Sequence, residues 1–238
     1  MKEPDIFGRA IQDLYYKGTA ADIHVHAEDF DDDVIPVEYL FRNYAEMPPV
    51  ERRALELCRG SVLDVGCGAG SHALYLQDER KLQVTAIDTS EGAVEVCRER
   101  GIREVQQISF EDFQGRQFDT LLFLMNGTGI IGSLGRLPEF FNKLRELLVP
   151  DGQVLIDSSD LIYLFDADED GGVWVDPDQY YGELTYQVSY KGKISAKFPW
   201  LYLDFDSLYL AAEDSGFSCE LVQKGEHYEY LARLRKRI

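Results

Sequence analysis

Residues 62–76, VLDVGCGAGSHALYL, join an apolar run, three glycines at alternate positions and a second apolar run with helical spacing. This order predicts a strand, a tight turn and the start of a helix. Glycine is needed where a ligand approaches the backbone closely, because a side chain would fill that space. The first amides of a helix have no partner within it and point at the same place. The stretch therefore predicts a ligand-binding turn, which fits a nucleotide phosphate or another anion equally well.

Further apolar runs follow along the chain, bounded by turn signals and separated by segments of helical period. This pattern is typical of a parallel sheet covered by helices. The predicted strands are Ser61–Val65, Gln83–Ile87, Glu104–Ile108, Phe118–Met125, Gln153–Asp157, Ser218–Val222 and Tyr228–Leu234. Seven strands fit one doubly wound α/β domain.

Two of the intervening helices carry clear start signals. Ser90 follows the second strand as a predicted N-cap, and Glu91 is placed to interact with the positive end of that helix. Pro138 can open the helix between the fourth and fifth strands, where apolar residues recur on one face through residue 148. That face should pack on the sheet.

Two segments fall outside the alternation of strands and helices. Residues 1–49 form an N-terminal helical or lid segment, with an acidic run at 28–33 and a predicted helix around 39–44. Residues 50–238 form the α/β domain, which an insertion interrupts at about 160–205. The N-terminal segment and a hairpin at 183–202 within the insertion are the candidate lids over the carboxyl ends of the strands, where ligands bind in open α/β sheets.

The insertion carries a strand pattern of its own. Residues 184–190, LTYQVSY, alternate between apolar or aromatic and polar side chains, and a second alternating run follows Gly192 and Lys193. This pattern predicts an antiparallel hairpin in which Gly192 leads a two-residue turn.

The charge of the chain restricts its partners. With 24 Lys and Arg against 43 Asp and Glu, the 238 residues carry a formal charge of −19. Such a charge repels a nucleic-acid backbone. Only the tail at 233–237 is locally basic, and we interpret it as a solvated strand end. A small-molecule partner is favoured over nucleic acid.

The chain shows no signal of a membrane or a secreted protein. It has no stretch of about 20 apolar residues and no N-terminal stretch of signal-peptide type. Its cysteines have no close-pair spacing that would indicate a zinc ribbon or a disulfide framework. We expect reduced thiols, no membrane partner and a cytoplasmic location.

The spacing of the glycines separates two cofactor classes. A dinucleotide-binding turn requires glycine at its first, third and sixth positions, and the sixth position counted from Gly66 is Ser71. Asp64, two residues before Gly66, would face an incoming cation or ammonium. Asp88, at the end of the next strand, can accept hydrogen bonds from both hydroxyls of a ribose.

With DVGCGAG at residues 64–70 and AIDTS at 86–90, the chain resembles the class I S-adenosylmethionine-dependent methyltransferases. The resemblance covers about residues 55–160 and, more loosely, the C-terminal strands. It implies a Rossmann-like, mostly parallel seven-stranded sheet with an antiparallel edge, and S-adenosylmethionine as the cofactor. The cofactor-binding residues that it implies here are Asp64, Gly66, Gly68 and Gly70 for the methionyl part, and Asp88 for the ribose.

The resemblance also implies residues for the adenine and for the reaction centre. In many members an acid in the loop after the third strand binds the adenine amino group, and Ser109 stands at that place. Ser109, Glu111 or Asp112 would make this contact, with the backbone amide of Phe110 at the ring. Asn126 lies in LMNGTG, where the family places its reaction centre, and we take it as a further cofactor-binding residue. This segment lacks the Asn/Asp-Pro-Pro-aromatic signature of base-methylating members.

We predict methyl transfer to a small-molecule acceptor. Because the reaction is an in-line displacement, holding the acceptor atom behind the methyl group can supply most of the catalysis. A base is needed only if the acceptor loses a proton, and the catalytic candidates at the strand ends are Asn126, Asp157 and Asp160. The two aspartates could also attract an amine, or could simply cap the strand and the next turn.

Aromatic residues of the insertion are the candidates for binding the acceptor. Tyr186, Tyr190, Trp200 and Tyr202 could form an aromatic wall for an apolar or cationic acceptor, or could pack the hairpin on the domain. We take Tyr163, Trp200 and Tyr202 as the substrate-binding residues.

The N-terminal segment offers two possible cofactor contacts. Tyr39 and Arg42 could bind the methionyl carboxylate of the cofactor. The alternative is ordinary packing for the ring and surface charge for the guanidinium.

Two metal-like patterns are weak, and we predict no metal site. His24 and His26 alternate on a predicted strand near Asp29 but lack a compelling third ligand. Residues 166–171 match the opening of a calcium loop, but Pro177 occupies the twelfth position, which needs a bidentate glutamate.

Two alternative functions remain. A nicotinamide-dependent oxidoreductase on a similar sheet is disfavoured by Ser71. A non-catalytic module that binds S-adenosylmethionine without turnover is compatible with the same residues.

Overall fold

The computed structural model describes residues 3–28, 30–165 and 179–237. Its α-helices are α1 (Ile6–Lys17), α2 (Pro49–Leu57), α3 (Ser71–Leu74), α4 (Glu91–Glu99), α5 (Leu137–Leu147) and α6 (Phe205–Asp214). Its strands are β1 (Ile23–Ala27), β2 (Asp33–Ile35), β3 (Ser61–Val65), β4 (Gln83–Asp88), β5 (Val105–Gln107), β6 (Phe118–Phe123), β7 (Leu148–Ser159), β8 (Glu183–Tyr190), β9 (Lys193–Ile194), β10 (Phe198–Leu201), β11 (Phe217–Lys224) and β12 (Glu229–Lys236). Within these residues, no helix has the length and apolar character that crossing a membrane requires.

The main sheet has seven strands in the order β11-β12-β7-β6-β3-β4-β5. The five strands from β7 to β5 run parallel, whereas β12 is antiparallel to β7 and β11 is antiparallel to β12. All seven predicted strands are present, and the predicted doubly wound, mostly parallel fold is confirmed. The largest difference in length is at β7, which begins five residues before the predicted strand because it continues directly from α5.

Helices cover both faces of this sheet, as the alternating pattern predicts. On one face, α5 buries the predicted apolar stripe, including Phe140, Phe141 and Leu144, against β6 and β7. The other face is covered by α2 and the helical segment that starts with α3. Each fully buried apolar side chain contributes roughly 1.5–3 kcal/mol to the stability of the layers.

The N-terminal helix is fastened to the α/β layer through shared helix caps. Asp5 caps α1 by accepting a hydrogen bond from Gly8 N at 2.8 Å, and it also accepts bonds from Gly92 N at 3.0 Å and Ser90 Oγ at 2.9 Å. Ser90 in turn accepts a bond from Ala93 N, which confirms its predicted N-cap role. The first turns of α1 and α4 are therefore held together by one carboxylate.

A second sheet, of five strands, joins the N-terminal segment to the insertion. Its main path is β10-β8-β1-β2, and β9 pairs with β8 at the hairpin. All of its pairings are antiparallel. We call these five strands the lid sheet. Strands from residues 1–49 and from the insertion thus form one layer.

The turn of the predicted hairpin is displaced by one residue. Tyr190 pairs with Lys193, so the two turn residues are Lys191 and Gly192, and the prediction that Gly192 leads the turn is wrong. Both turn residues have positive φ, 47° and 73°, as a type I′ turn requires. The Lys191 ammonium, 2.6 Å from the Asp13 carboxylate, anchors the turn to α1.

The helix predicted around residues 39–44 is replaced by two short 3-10 turns, Val37–Phe41 and Tyr44–Glu46. Arg42 takes an extended ψ of 142° and ends the first turn. Asn43 caps the second by accepting a hydrogen bond from Ala45 N. Capping by Asn43 therefore competes with continuation of one helix.

We predict that Gly92→Ala destabilises the fold by about 1–3 kcal/mol, as overpacking does. An added Cβ would lie 2.8 Å from the backbone of Gly8, so α1 and α4 could no longer cross closely. Gly135→Ala is the control, because its Cβ would meet only Ser133 Oγ at 4.0 Å. Urea unfolding measures both variants, and equal stability of the two would contradict the close crossing.

Candidate active site

The glycine turn begins directly after β3. Gly66 N and Cys67 N donate to the carbonyl of Ile87 at 2.9 and 3.1 Å, which ties the turn to the end of β4. Gly66 and Gly68 have φ values of 72° and 53°, in the left-handed region. A Cβ at either position would meet no described atom within 4 Å. These two glycines therefore leave the bare surface that the sequence predicts.

Gly70 has a different environment. A Cβ there would lie 2.3 Å from Ile102 Cδ1 and 2.9 Å from Cys97 Sγ. The expectation that all three glycines leave a bare surface is therefore wrong at Gly70, where other side chains already occupy the space. Its φ of 85° and its place before α3 show that it lets the helix start close against its neighbours.

Asp88 lies beside the glycine turn at the end of β4. Its carboxylate accepts hydrogen bonds from Gly68 N at 2.9 Å and from Ser90 N at 2.8 Å. Burial raises the pKa of the half-buried carboxyl, although both backbone bonds oppose the increase. A carboxylate offers about four acceptor positions. Positions therefore remain for the two hydroxyls of a ribose.

Asp64 is buried in β3 with a carboxylate oxygen that lacks a partner. The residue is 2% exposed, and Oδ2 makes no hydrogen bond within the described structure. Burial raises the pKa of this carboxyl to about 6. A buried oxygen without a donor costs free energy, which an arriving ammonium group would recover. The amino group of a methionyl moiety fits this requirement.

A buried ionic network lies next to Asp64. The Arg42 guanidinium contacts both Glu51 oxygens at 2.5 and 2.6 Å, and His72 Nε2 lies 2.8 Å from Glu51 Oε2. Arg42 also lies over the ring of Tyr39, 3.4 Å from its centroid. Among the residues that the structure describes, Arg42 Nε has no hydrogen-bond partner. Most of the donors of the Arg42 guanidinium are thus used within the protein. Arg42 is therefore not a surface charge, and its guanidinium is not open to the methionyl carboxylate of the cofactor.

The loop after β5 holds the residues predicted to contact adenine, among them Ser109 and Phe110. Ser109 Oγ donates to Asp112 Oδ2 at 2.8 Å and accepts a bond from Asp112 N at 3.1 Å. The Phe110 ring is buried and packs against Phe123 and Phe140, with centroids 5.1 and 5.7 Å away. The ring of Phe110 is therefore part of the core, while the Ser109 hydroxyl closes its own turn.

The chain leaves β6 through a strained turn. Met125 and Asn126 both have positive φ, 67° and 59°, a conformation that costs free energy for residues other than glycine. Asp157, at the end of β7, accepts hydrogen bonds from Met125 N at 3.1 Å and Gly127 N at 2.9 Å. Ser159 Oγ donates to Asn126 Oδ1 at 2.8 Å. The ends of two neighbouring strands therefore fix this turn together.

The carboxyl group of Asp157 has a raised pKa. It is 7% exposed, and burial raises the pKa of its carboxyl to about 7 despite the backbone donors. A carboxyl with a pKa near neutrality can accept or give a proton at physiological pH.

Asp160 is used for capping. Its carboxylate accepts hydrogen bonds from Ile162 N at 2.9 Å and from the Tyr181 hydroxyl at 2.8 Å. It caps the short turn Leu161–Leu164, the alternative that its position after β7 had left open. Unlike Asp157, it lies outside the main cavity of the described structure.

A cavity of about 1080 Å³ lies between the lid sheet and the ends of β6 and β7. Asn126 and Asp157 line its floor. All three predicted substrate-binding residues, Tyr163, Trp200 and Tyr202, line it as well. Pockets of this size hold small ligands or cofactors. The structure therefore gathers residues from distant parts of the sequence around one space.

The aromatic residues that line this cavity are not all the ones expected from the sequence. Tyr186 and Phe198 line it together with Trp200 and Tyr202. Tyr190 does not, because it is buried in a cluster with residues of α1 and its hydroxyl donates to Asp13. Trp200 packs closely on the backbone at Gly129, where no Cβ would fit.

Several lining residues were missed by the sequence analysis. They come from α1, the acidic loop, β2 and the start of β12: Phe7, Phe30, Asp31, Asp32, Asp33, His227 and Glu229. The sequence shows the acidic run at 28–33 but does not predict that it lines a binding site. The pairing of β1 with β8 brings this run over the strand ends, and no local pattern reports such a pairing.

The predicted absence of a metal site stays a prediction. Within the described ranges, no group of three potential ligands could hold a metal ion. His26 lies between Asp32 and Ser189, at 2.8 and 2.9 Å from its ring nitrogens. Asp29 and the calcium-like residues 166–177 lie outside the described residues.

Comparisons with known proteins point to one family. A family model described as a methyltransferase domain matches residues 62–152. The crystal structure of an S-adenosylmethionine-dependent methyltransferase from Bacteroides fragilis, in complex with S-adenosylhomocysteine, is 47% identical to this chain. That match covers 98% of this chain and 95% of the other, with a TM-score of 0.91. No curated protein sequence matches the chain.

More distant structures share the fold. The sugar N-methyltransferase KedS8 from a Streptoalloteichus species is 18% identical, with a TM-score of 0.61 over 88% of this chain and 96% of that one. The CcbJ methyltransferase from Streptomyces caelestis is also 18% identical, with a TM-score of 0.61 over 82% and 98%.

The described turn fits the cofactor of that family, since it combines a bare backbone, an unpartnered buried carboxylate and a second carboxylate one strand away. The nicotinamide alternative is set aside by this fit and by the similarity to a methyltransferase with bound S-adenosylhomocysteine. The same similarity, together with the methyltransferase family model, supports an enzyme over a module without turnover. The chain belongs to the class I S-adenosylmethionine-dependent methyltransferases, and S-adenosylmethionine is its cofactor.

Proposed function

We propose that this enzyme methylates a small molecule held in the cavity between the lid sheet and the main sheet. The observation that carries the proposal is the cavity itself, about 1080 Å³ in volume, which lies over the carboxyl ends of β6 and β7. Open α/β enzymes bind ligands at that edge of the sheet. An acceptor of metabolite size fits such a space.

Cofactor contacts follow from the carboxylates and the open glycines. Asp64 would hold the methionyl amino group, the backbone at Gly66 and Gly68 would accept the close approach of the cofactor, and Asp88 would bind the ribose. Gly70 would act one step away, by letting α3 begin close to the turn. Bound S-adenosylmethionine supplies an electrophilic methyl group.

The adenine contacts come from the loop after β5. The Ser109 side chain is engaged with Asp112, so we propose that Ser109 shapes the loop while the backbone amide of Phe110 contacts the ring. At the end of β6, Asn126 has a left-handed backbone conformation and lines the cavity, and we propose that it contacts the cofactor where cofactor and acceptor would meet.

Around the acceptor, we propose that Asn126 and Asp157 position the reacting group and that Asp157 takes a proton from it. Tyr163, Trp200 and Tyr202 would bind the rest of the acceptor. Asp160 would stabilise the turn that carries Tyr163 rather than touch the acceptor. A nucleic-acid acceptor is disfavoured by the charge of −19, and the cytoplasmic location stays a prediction from the sequence.

Two measurements test the proposed function. Isothermal titration should show binding of S-adenosylhomocysteine, and incubation with methyl-labelled S-adenosylmethionine should label the low-molecular-mass fraction of a cell extract. Binding together with label only in protein or nucleic acid would contradict a small-molecule acceptor. A heat-denatured sample of the enzyme is the control for uncatalysed methylation.

We predict that Asp88→Asn weakens the binding of S-adenosylhomocysteine by about tenfold or more, because a hydrogen bond to a charged group contributes about 1.5–3 kcal/mol. Asp119→Asn is a matched control. Asp119 also accepts two hydrogen bonds, from Ser61 N and Oγ, but lies at the start of β6, at the opposite edge of the sheet. Calorimetric titration of the folded variants with S-adenosylhomocysteine measures these affinities. Equal affinity of Asp88→Asn and wild type would show that Asp88 does not bind the ribose.

A second prediction concerns stability against pH. Because burial raises the pKa of Asp157 to about 7, the folded chain keeps a proton that the unfolded chain releases near pH 4. The free energy of unfolding should therefore fall from pH 4 to 7 by roughly 2–4 kcal/mol more in wild type than in Asp157→Asn.

Asp119 is the control for this experiment, because its contribution to stability should change with pH in the opposite direction. Hydrogen bonds from Ser61 lower the pKa of Asp119, so wild type should gain stability relative to Asp119→Asn as the pH rises through that range. Urea unfolding at several pH values measures both differences. Parallel stability curves for wild type and Asp157→Asn would show that Asp157 does not retain its proton.

A further inference from the structure

We propose that the methyl acceptor is a small organic amine, methylated on nitrogen. This inference rests on the proposed function, because it takes the cavity under the lid sheet as the acceptor site. It follows from the charges and the aromatic surfaces of that cavity together with the chemistry of methyl transfer.

The described lining of the cavity carries acidic side chains and neither lysine nor arginine. Its six carboxylates belong to Asp31, Asp32, Asp33, Glu51, Asp157 and Glu229, and its one basic ring is that of His227. An anionic ligand would find no permanent cation there. An ammonium group would be attracted by the negative charge of this lining.

Not all of these carboxylates are free to attract a ligand. Glu51 is paired with Arg42 and His72 inside the protein, and Asp32 contacts His26. Asp31, Asp33 and Glu229 form no salt bridge with a lysine or arginine of the described structure. The carboxylates without a cationic partner therefore lie at exposed positions of the acidic loop and β2, and at the start of β12, where Glu229 accepts hydrogen bonds from the backbone of Glu226 and His227.

Neutral aromatic rings complete the site. Tyr186 and Tyr202 meet edge to face with centroids 6.3 Å apart, and their hydroxyls are 3.2 Å apart. Trp200 and Phe198 also meet edge to face, at 6.2 Å. Burial raises the pKa of both tyrosines, so their hydroxyls stay uncharged. Such rings bind cations through their faces and bury the apolar part of an amphipathic amine.

The reaction balances for an amine without any further reagent. A protonated amine first gives a proton to the Asp157 carboxylate, whose pKa near 7 suits this exchange. The nitrogen lone pair then forms the new bond to the methyl carbon as the methyl–sulfur bond breaks, and that electron pair stays on sulfur. Asp157 returns its proton to water, and the product leaves as a methylated ammonium ion.

An oxygen or carboxylate acceptor fits the same cavity poorly. Methylation of a carboxylate, phenolate or phosphate needs the acceptor as an anion, which the carboxylates of the lining would repel. These acceptors are the competing outcomes of the test.

The test compares two probes of matched shape on the protein saturated with S-adenosylhomocysteine. Phenethylamine and 3-phenylpropionate both join a phenyl ring to a short chain but end in opposite charges. Isothermal titration should give at least about tenfold tighter binding of the amine, and added NaCl should weaken it. Equal or tighter binding of the acid, or no binding of either probe at about 10 mM, would overturn the proposal.

Variants assign the effect to the cavity. The double change Asp31→Asn with Asp33→Asn should weaken amine binding by about three- to tenfold. Asp22→Asn removes one negative charge from an exposed residue just before β1, outside the cavity, and should leave amine affinity unchanged. Tyr202→Phe keeps the ring and should retain the amine, whereas Tyr202→Leu should lose affinity.

The two proposals fail in different ways. If S-adenosylhomocysteine binds but the amine shows no preference over the acid, only the amine acceptor is wrong. If S-adenosylhomocysteine fails to bind the folded wild-type protein, the proposed function falls with it.

Discussion

The left-handed backbone at Gly66 and Gly68 is the constraint on which the site depends. It brings the chain out of β3 and toward α3 without placing a side chain over the turn, and bonds to the Ile87 carbonyl fix that path. Asp88 then braces the turn through Gly68 N. The same carboxylate thus shapes the turn and, in the proposed function, would also bind the ribose of the cofactor.

The second layer of the site depends on contacts between distant segments. Asp5 fastens α1 to α4, β1 pairs with β8, and the lid sheet then lies over the ends of β6 and β7. Beneath it, Asp157 holds a strained turn and keeps a pKa near 7 because it is buried there. The cavity therefore combines a fixed floor with a lid built from two separate parts of the chain.

The strands of the main sheet could be predicted from the sequence because a buried parallel strand is a continuous apolar run. Such a run can be recognised without knowing which strand it pairs with. Lid-sheet pairing escaped prediction because the register of β1 against β8 depends on residues far apart in the chain. The hairpin turn was predicted one residue too late in the chain. In the structure Lys191 belongs to the turn and contacts Asp13, and no local sequence pattern indicates this contact. At Gly70, pattern alone could not distinguish an open glycine from one required by packing.

A crystal structure of the protein with S-adenosylhomocysteine would show whether the glycine turn holds the cofactor. We expect the ribose hydroxyls on the Asp88 carboxylate, the amino group within hydrogen-bonding distance of Asp64, and the sulfur facing the cavity floor at Asn126. A nucleoside bound elsewhere, with the surface over Gly66 and Gly68 filled by protein side chains, would contradict this expectation.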